Sequence, residues 1–200
     1  MVPRSSTERS PGRPREFDEA QVLEAAMEVF WRKGYESASL AELCQATGLH
    51  KGSLYQAFGD KHQLMMRALH HYSEMEFQEC VSVMSDDFSP LENLRAIMHK
   101  VVEITGRNSG CLMVNTIVEL APHNEEVKRA VQTFGEKRIE AMAELLIAAQ
   151  AAGEIRAELE PRKLAMHMMV TLAGTATLSK GFIDRAAADD IVDETINSWR

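Results

Sequence analysis

Two short amphipathic runs hinged on Gly48 constrain this chain more than any other feature. Ser39 and Glu42 stand in the S-x-x-E spacing of a capping box, which opens a short helix over residues 40–47. Gly48 ends it and supplies the positive φ that a sharp turn needs. A second short helix follows from Lys51 to Phe58 and stops before Gly59-Asp60. Two helices meeting at a steep angle need small side chains where they approach, and Cys44 and Ala46 are placed for that. Leu40, Leu43, Leu49, Leu54 and Phe58 have the spacing to lock the pair onto a preceding helix. Lys51, Gly52, Ser53, Tyr55 and Gln56 are then left on the outer face.

The rest of the chain reads as helices with almost no strand signal. Leu23, Ala26, Met27, Phe30 and Trp31 form an apolar stripe of helical period, ended by Gly34. Asp60 caps a long helix carrying Leu64, Ala68, Leu69, Tyr72 and Met75 and reaching about Ser85. Ser89-Pro90 places an N-cap before a proline at the first helical position and starts a helix to Arg107. Further helices are expected over 111–121, 124–152, 161–180 and 186–199. The expectation is an all-α protein of about nine helices and no sheet, with a small head and a larger helical body. The boundaries drawn are a flexible basic arm at 1–15, a head at 16–62 and a body at 63–200.

The net charge of −8 argues at first against an anionic partner, but its distribution reverses that. Residues 1–70 hold nine Lys/Arg and nine Asp/Glu, so the whole excess of acid lies beyond them. Before Glu16, Arg4, Arg9, Arg13 and Arg15 face only Glu8. An acidic body with a basic arm confines attraction for a polyanion to one end. Gly12-Arg13-Pro14-Arg15 has the G-R-P core of arms that enter narrow A·T minor grooves, with Arg13 and Arg15 as the contacts, or else it is a solvated tail. No stretch is long and apolar enough for a membrane span, and no signal peptide is apparent. Three widely spaced cysteines, Cys44, Cys80 and Cys111, give no disulfide framework and fit a reducing cytoplasm. Among seven histidines, His70 with Glu74 forms one i,i+4 pair, too little for a site by itself and with no HExxH beside it, so neither a metal nor a cofactor is expected. No nucleophile elbow, P-loop or dinucleotide fingerprint supports catalysis.

Gly34-Tyr35, Leu40-Ala41-Glu42-Leu43, Gly48 to Tyr55 and Phe58-Gly59-Asp60-Lys61 together resemble the TetR/AcrR family of regulators over about residues 17–65. The resemblance implies a three-helix DNA head with a helix-turn-helix on a helical ligand-binding body, acting as a cytoplasmic homodimer on a double-stranded operator. It implies that Lys61 touches a phosphate. Lys51 and Tyr55 suit phosphates, while Gln56 can make paired hydrogen bonds to an adenine edge, with Gly52 and Ser53 beside it. Ser39 and Leu40, opening the first short helix, complete the expected DNA-facing set. Two positions depart from the family pattern: Ala57 stands where His is frequent, and His50 where Ser or Thr caps the recognition helix. His50 then either caps poorly or meets DNA itself.

For the body, the resemblance implies a pocket for an unidentified small molecule and a dimer interface. Met98, Met113, Met142 and Met168 either line that pocket or are ordinary core, and Asn115 and Glu119 either offer it polar handles or bond within the core. Cys111, opening an apolar helix after Gly110, either is a thiolate favoured by the helix dipole or is a small buried hydrophobe. The first alternative resembles a sub-group that senses electrophiles or oxidants. Leu164, Leu172, Thr175, Leu178, Val192, Ile196 and Trp199 are expected at a four-helix dimer interface, or packed within one subunit. The leading expectation is a repressor released by a small molecule. Its competitors are a redox or electrophile sensor triggered at Cys111, and a helical enzyme or carrier with a vestigial head.

Overall fold

The computed structural model describes residues 17–107 and 110–200, and every regular element among them is a helix. In chain order these are α1 (Glu19–Lys33), α2 (Leu40–Thr47), α3 (Lys51–Phe58), α4 (Lys61–Val81), α5 (Pro90–Arg107), α6 (Leu112–Glu119), α7 (Glu125–Ala151), α8 (Pro161–Leu178) and α9 (Arg185–Asn197). Arg13 and Arg15, with the rest of the expected basic arm, lie outside the described residues.

Local capping chemistry accounts for most of the helix starts. At α2 both halves of the capping box form, with the Glu42 amide donating to Ser39 Oγ and the Ser39 amide to Glu42 Oε2. A second reciprocal box opens α5 between Ser89 and Glu92. Asp18, Asp60, Asn124 and Asp184 each accept an amide at the head of α1, α4, α7 and α9. Helix α4 stops at Val81, short of Ser85. Asn93 of α5 explains this: its side-chain amide bonds both backbone groups of Ser85 and the Phe88 carbonyl, which fixes the linker as a turn.

Helices α1, α2 and α3 form the head, and α4 packs along α1 as its floor. The head's core continues through α4 into α6 and the first half of α7, where Leu112, Met113, Val127 and Phe134 join Phe30, Trp31 and Tyr72. A second core lies between α5, the rest of α7, α8 and α9. The break drawn at 62/63 therefore falls at the start of an element that both parts share.

Helix α9 packs on α5, which is the second of the two places expected for its apolar stripe, within one subunit. Arg95 pairs with Asp193 and bonds Asn197, while His99 meets Asp189 at 2.7 Å and Asp193 at 3.1 Å. The apolar stripe of α9 is thereby turned inward. Val192 and Ile196 are fully buried and Trp199 nearly so, within a single chain. Leu164, Leu172 and Thr175 of α8 are buried in the same way. Of the seven residues expected at a dimer interface, Leu178 alone is exposed. Helix α8 is apolar on both sides, and its outward stripe is Met166, Val170, Gly174 and Leu178, continued by Phe182 just beyond its end.

Candidate functional site: the helix-turn-helix face and the cavity behind it

Gly48, at φ 69° and ψ 7°, makes the left-handed turn between α2 and α3. Leu43 and Leu54 are fully buried beneath that turn, with Phe58 close behind and Leu40, Leu49 and Cys44 packed at the edge. Ala46, expected at the helix contact, is exposed instead; Cys44 is the small side chain that faces the core. Arg67 of α4 fastens the end of α3. Its guanidinium lies 4.7 Å from the Phe58 ring centre, donates to the Ala57 carbonyl at 3.3 Å and pairs with Glu19 of α1. The recognition helix is thus fixed to both α1 and α4.

This leaves Lys51, Gly52, Ser53 and Gln56 exposed on one face of α3, with Tyr55 half-buried at its edge. His50 is the N-cap residue of α3, makes no side-chain cap bond, and is exposed, so its imidazole stands at the same face. The Ser39 hydroxyl is engaged with Glu42, leaving the α2 N-terminus at Leu40 as the feature that an anion would meet. Lys61 folds back over the Tyr35 ring at 4.6 Å and donates to the Glu36 carbonyl at 3.3 Å. Burial first, then the carboxylates of Glu36 and Asp60, pushes the Tyr35 phenol up, so it keeps its proton beside that lysine.

Behind the head, between α4, α5, α6, α7 and α8, lies a cavity of about 450 Å³. Met98, Cys111, Met113 and Met142 line it. Met168 does not, being fully buried in the second core. Asn115 points away from it, toward the Lys180 ammonium. Glu119 is turned to the head, where its carboxylate accepts the Tyr35 amide at 2.8 Å and the Glu36 amide at 2.9 Å. Gly34 permits this approach, because a Cβ there would stand 2.9 Å from Glu119 Oε2. Trp31 adds a second tie between head and α6, its indole N–H donating to the Gly110 carbonyl at 2.7 Å.

At Cys111 burial opposes the thiolate that a helix N-terminus favours. This residue lies deep in the molecule, its residual exposure is toward the cavity, and the Tyr72 hydroxyl sits 3.4 Å from its sulfur. Burial first, then the Glu76 carboxylate, pushes the thiol up, outweighing the Tyr72 hydroxyl and the amides of Val114 and Met113 at the head of α6. Cys80, also on the cavity, is pushed up to about 12, chiefly by burial. Sequence reasoning missed the buried ion pair of the cavity wall, Glu76 with Arg138, because nothing local marks partners on α4 and α7 as neighbours. Among the described residues no group of three His, Cys, Asp or Glu side chains is placed to hold a metal, and no helix is long and apolar enough to cross a membrane.

A three-helix head presenting one short helix outward, seated on a helical body with an internal cavity, defines a helix-turn-helix DNA-binding regulator. Comparison with known proteins gives the family. The profile described as "Bacterial regulatory proteins, tetR family" matches residues 22–68, and that described as "Tetracyclin repressor-like, C-terminal domain" matches residues 90–194. The chain belongs to the TetR family, a family of transcriptional regulators and not of enzymes. It is 26% identical to the HTH-type transcriptional repressor ComR of Escherichia coli, over 96% of this chain and 93% of that protein. It is 32% identical to the repressor BdcR of the same organism over 63% of this chain and 64% of that one. Among solved structures, a cysteine-substituted form of the TetR-family regulator CifR, bound to 26-bp double-strand operator DNA, superposes with a TM-score of 0.81 at 30% identity. That match covers 94% of this chain and all of the CifR chain.

Proposed function

We propose that this regulator is a cytoplasmic, homodimeric repressor that leaves a palindromic operator when a small molecule fills the body cavity. The observation that carries the reading is the double attachment of α6. Its first turns line the cavity through Cys111, Met113, Val114 and Ile117, while Gly110 and Glu119 at its two ends hold Trp31 and the 34–36 loop of the head. A ligand that displaces α6 moves the head with it. Only a ligand with different affinities for the two arrangements shifts the balance, and coupling of about 1–3 kcal/mol is typical.

In this reading Lys51, Tyr55 and Lys61 position the head on phosphates, and Gly52, Ser53, Gln56 and His50 read the groove. Lys61 must then leave Tyr35 or reach past it. The outward stripe of α8 supports the dimer: Met166, Val170, Leu178 and Phe182 are exposed apolar side chains on one side, and Gly174 lets a second backbone approach closely. Footprinting on DNA upstream of the gene tests the proposal. Two protected half-sites about 34–36 Å apart, one helical turn, are expected. A single unsymmetrical site, or no protection at low salt, overturns it.

A further inference from the structure

We propose that the cavity takes an uncharged, largely apolar molecule and turns away anions. The regulatory meaning of this rests on the ligand-release reading above; the binding itself does not.

Among the described residues that line the cavity, Arg138 is the only cation, and it is already committed. Its guanidinium pairs with Glu76 and donates to Ser73 Oγ and the Phe134 carbonyl, each at 3.3 Å. The side chains of Arg138 and Glu76 are 18% and 6% exposed, so little water screens them. An entering carboxylate, sulfonate or phosphate must compete with Glu76 for that arginine and leave a buried carboxylate without its partner, which is the costly outcome for such a pair. The remaining charge on the lining, Glu144, is exposed and repels anions at the entrance.

Nothing in the wall calls for a polar ligand group. No buried side-chain nitrogen or oxygen among the described residues lacks a hydrogen-bond partner. Thr105, buried on the lining, donates its hydroxyl proton to the Val101 carbonyl at 2.9 Å. The other contacts are aliphatic groups, the Phe77 ring, the protonated thiols of Cys80 and Cys111, and thioethers, which adapt to varied apolar shapes. Phe77, Val81 and Ile117 line the cavity and are each more than two-fifths exposed, so the entrance is apolar as well. The volume of about 450 Å³ lies in the range of small-molecule sites.

Two matched fluorophores separate charge from shape: phenylnaphthylamine and anilinonaphthalenesulfonate, the same ring system without and with a sulfonate. Titrated into the full chain, the neutral dye is expected to bind more tightly by about tenfold or more. Ala141→Leu, which projects into the cavity, should weaken the neutral dye. Glu144→Gln, at the exposed entrance, should raise affinity for the sulfonate by a larger factor than for the neutral dye. Glu76→Gln, which releases the charge of Arg138, should raise it further; if that variant fails to fold, the other measurements still decide. Equal or tighter binding of the sulfonate by the native chain overturns the proposal. So does failure of both dyes to bind, or binding that Ala141→Leu leaves intact. Operator binding measured without dye is a separate readout: its loss would defeat the repressor reading and leave the dye ratio standing.

Discussion

Gln56 and Lys51 occupy one exposed face of α3, yet they are expected to fail differently when removed. A glutamine paired with one adenine discriminates by about 1–3 kcal/mol, so Gln56→Ala should relax preference at one position of each half-site and spare the others. Lys51→Ala or Lys61→Ala should weaken binding to every duplex and flatten the salt dependence by about two log units per log unit of salt, one phosphate being lost from each half of a dimer. Competition binding against single-position operator variants distinguishes these outcomes. The thiols give a pH prediction. Cys80 and Cys111 are pushed up by burial, so the folded state gains from their neutrality below the unfolded thiol value of about 8.5. That gain is lost as pH rises through and above it. Urea midpoints should fall between pH 7 and pH 10, by less in Cys80→Ala measured against its own pH 7 value. Rapid alkylation of Cys111 in the folded protein at neutral pH would instead revive the thiol-trigger reading.

At the scale of elements, α6 is where local sequence signals stop being informative. The starts of α2, α4 and α5 were legible because Ser39-Glu42, Asp60 and Ser89-Pro90 carry their own capping partners within a turn. The destination of Glu119 was not, because its amide partners lie 84 and 83 residues away. The same holds for Met168, whose place in the core depends on how α8 is rotated. Glu119→Ala should leave operator affinity within a few-fold and weaken ligand-induced release, measured as the shift in operator affinity at saturating ligand. Unchanged coupling would show that α6 does not carry the signal through this contact. Gly34→Ala should lower stability by about 1–3 kcal/mol, since Gly34 sits at φ 79° and ψ 171°, a region open essentially to glycine, and its Cβ would press on Glu119.

The whole molecule was legible in its class and less so in its surfaces. Helical periodicity and glycine punctuation foreshadow the head and an all-helical body, and the number of fixed positions between Gly34 and Lys61 carried the family. An apolar stripe on α9 says only that something covers it. Here α5 does so within the chain, and the outward face falls to α8, whose apolar residues on both sides were the available signal. Two substitutions separate these roles. Val170→Glu, on the exposed face, should yield a folded monomer by sedimentation. Ile196→Ala should cost about 2–5 kcal/mol in unfolding free energy and leave the assembly state unchanged.

Helix α3 and its neighbours are expected to make a sequence-specific DNA reader. The most direct test is fluorescence anisotropy of the full chain against a duplex from upstream of its own gene and against a scrambled duplex, over a series of salt concentrations. Tighter binding to the native duplex by about 10³-fold or more is expected, with log affinity falling steeply and linearly in log salt. Equal affinity for the two duplexes, or an affinity indifferent to salt, would contradict it.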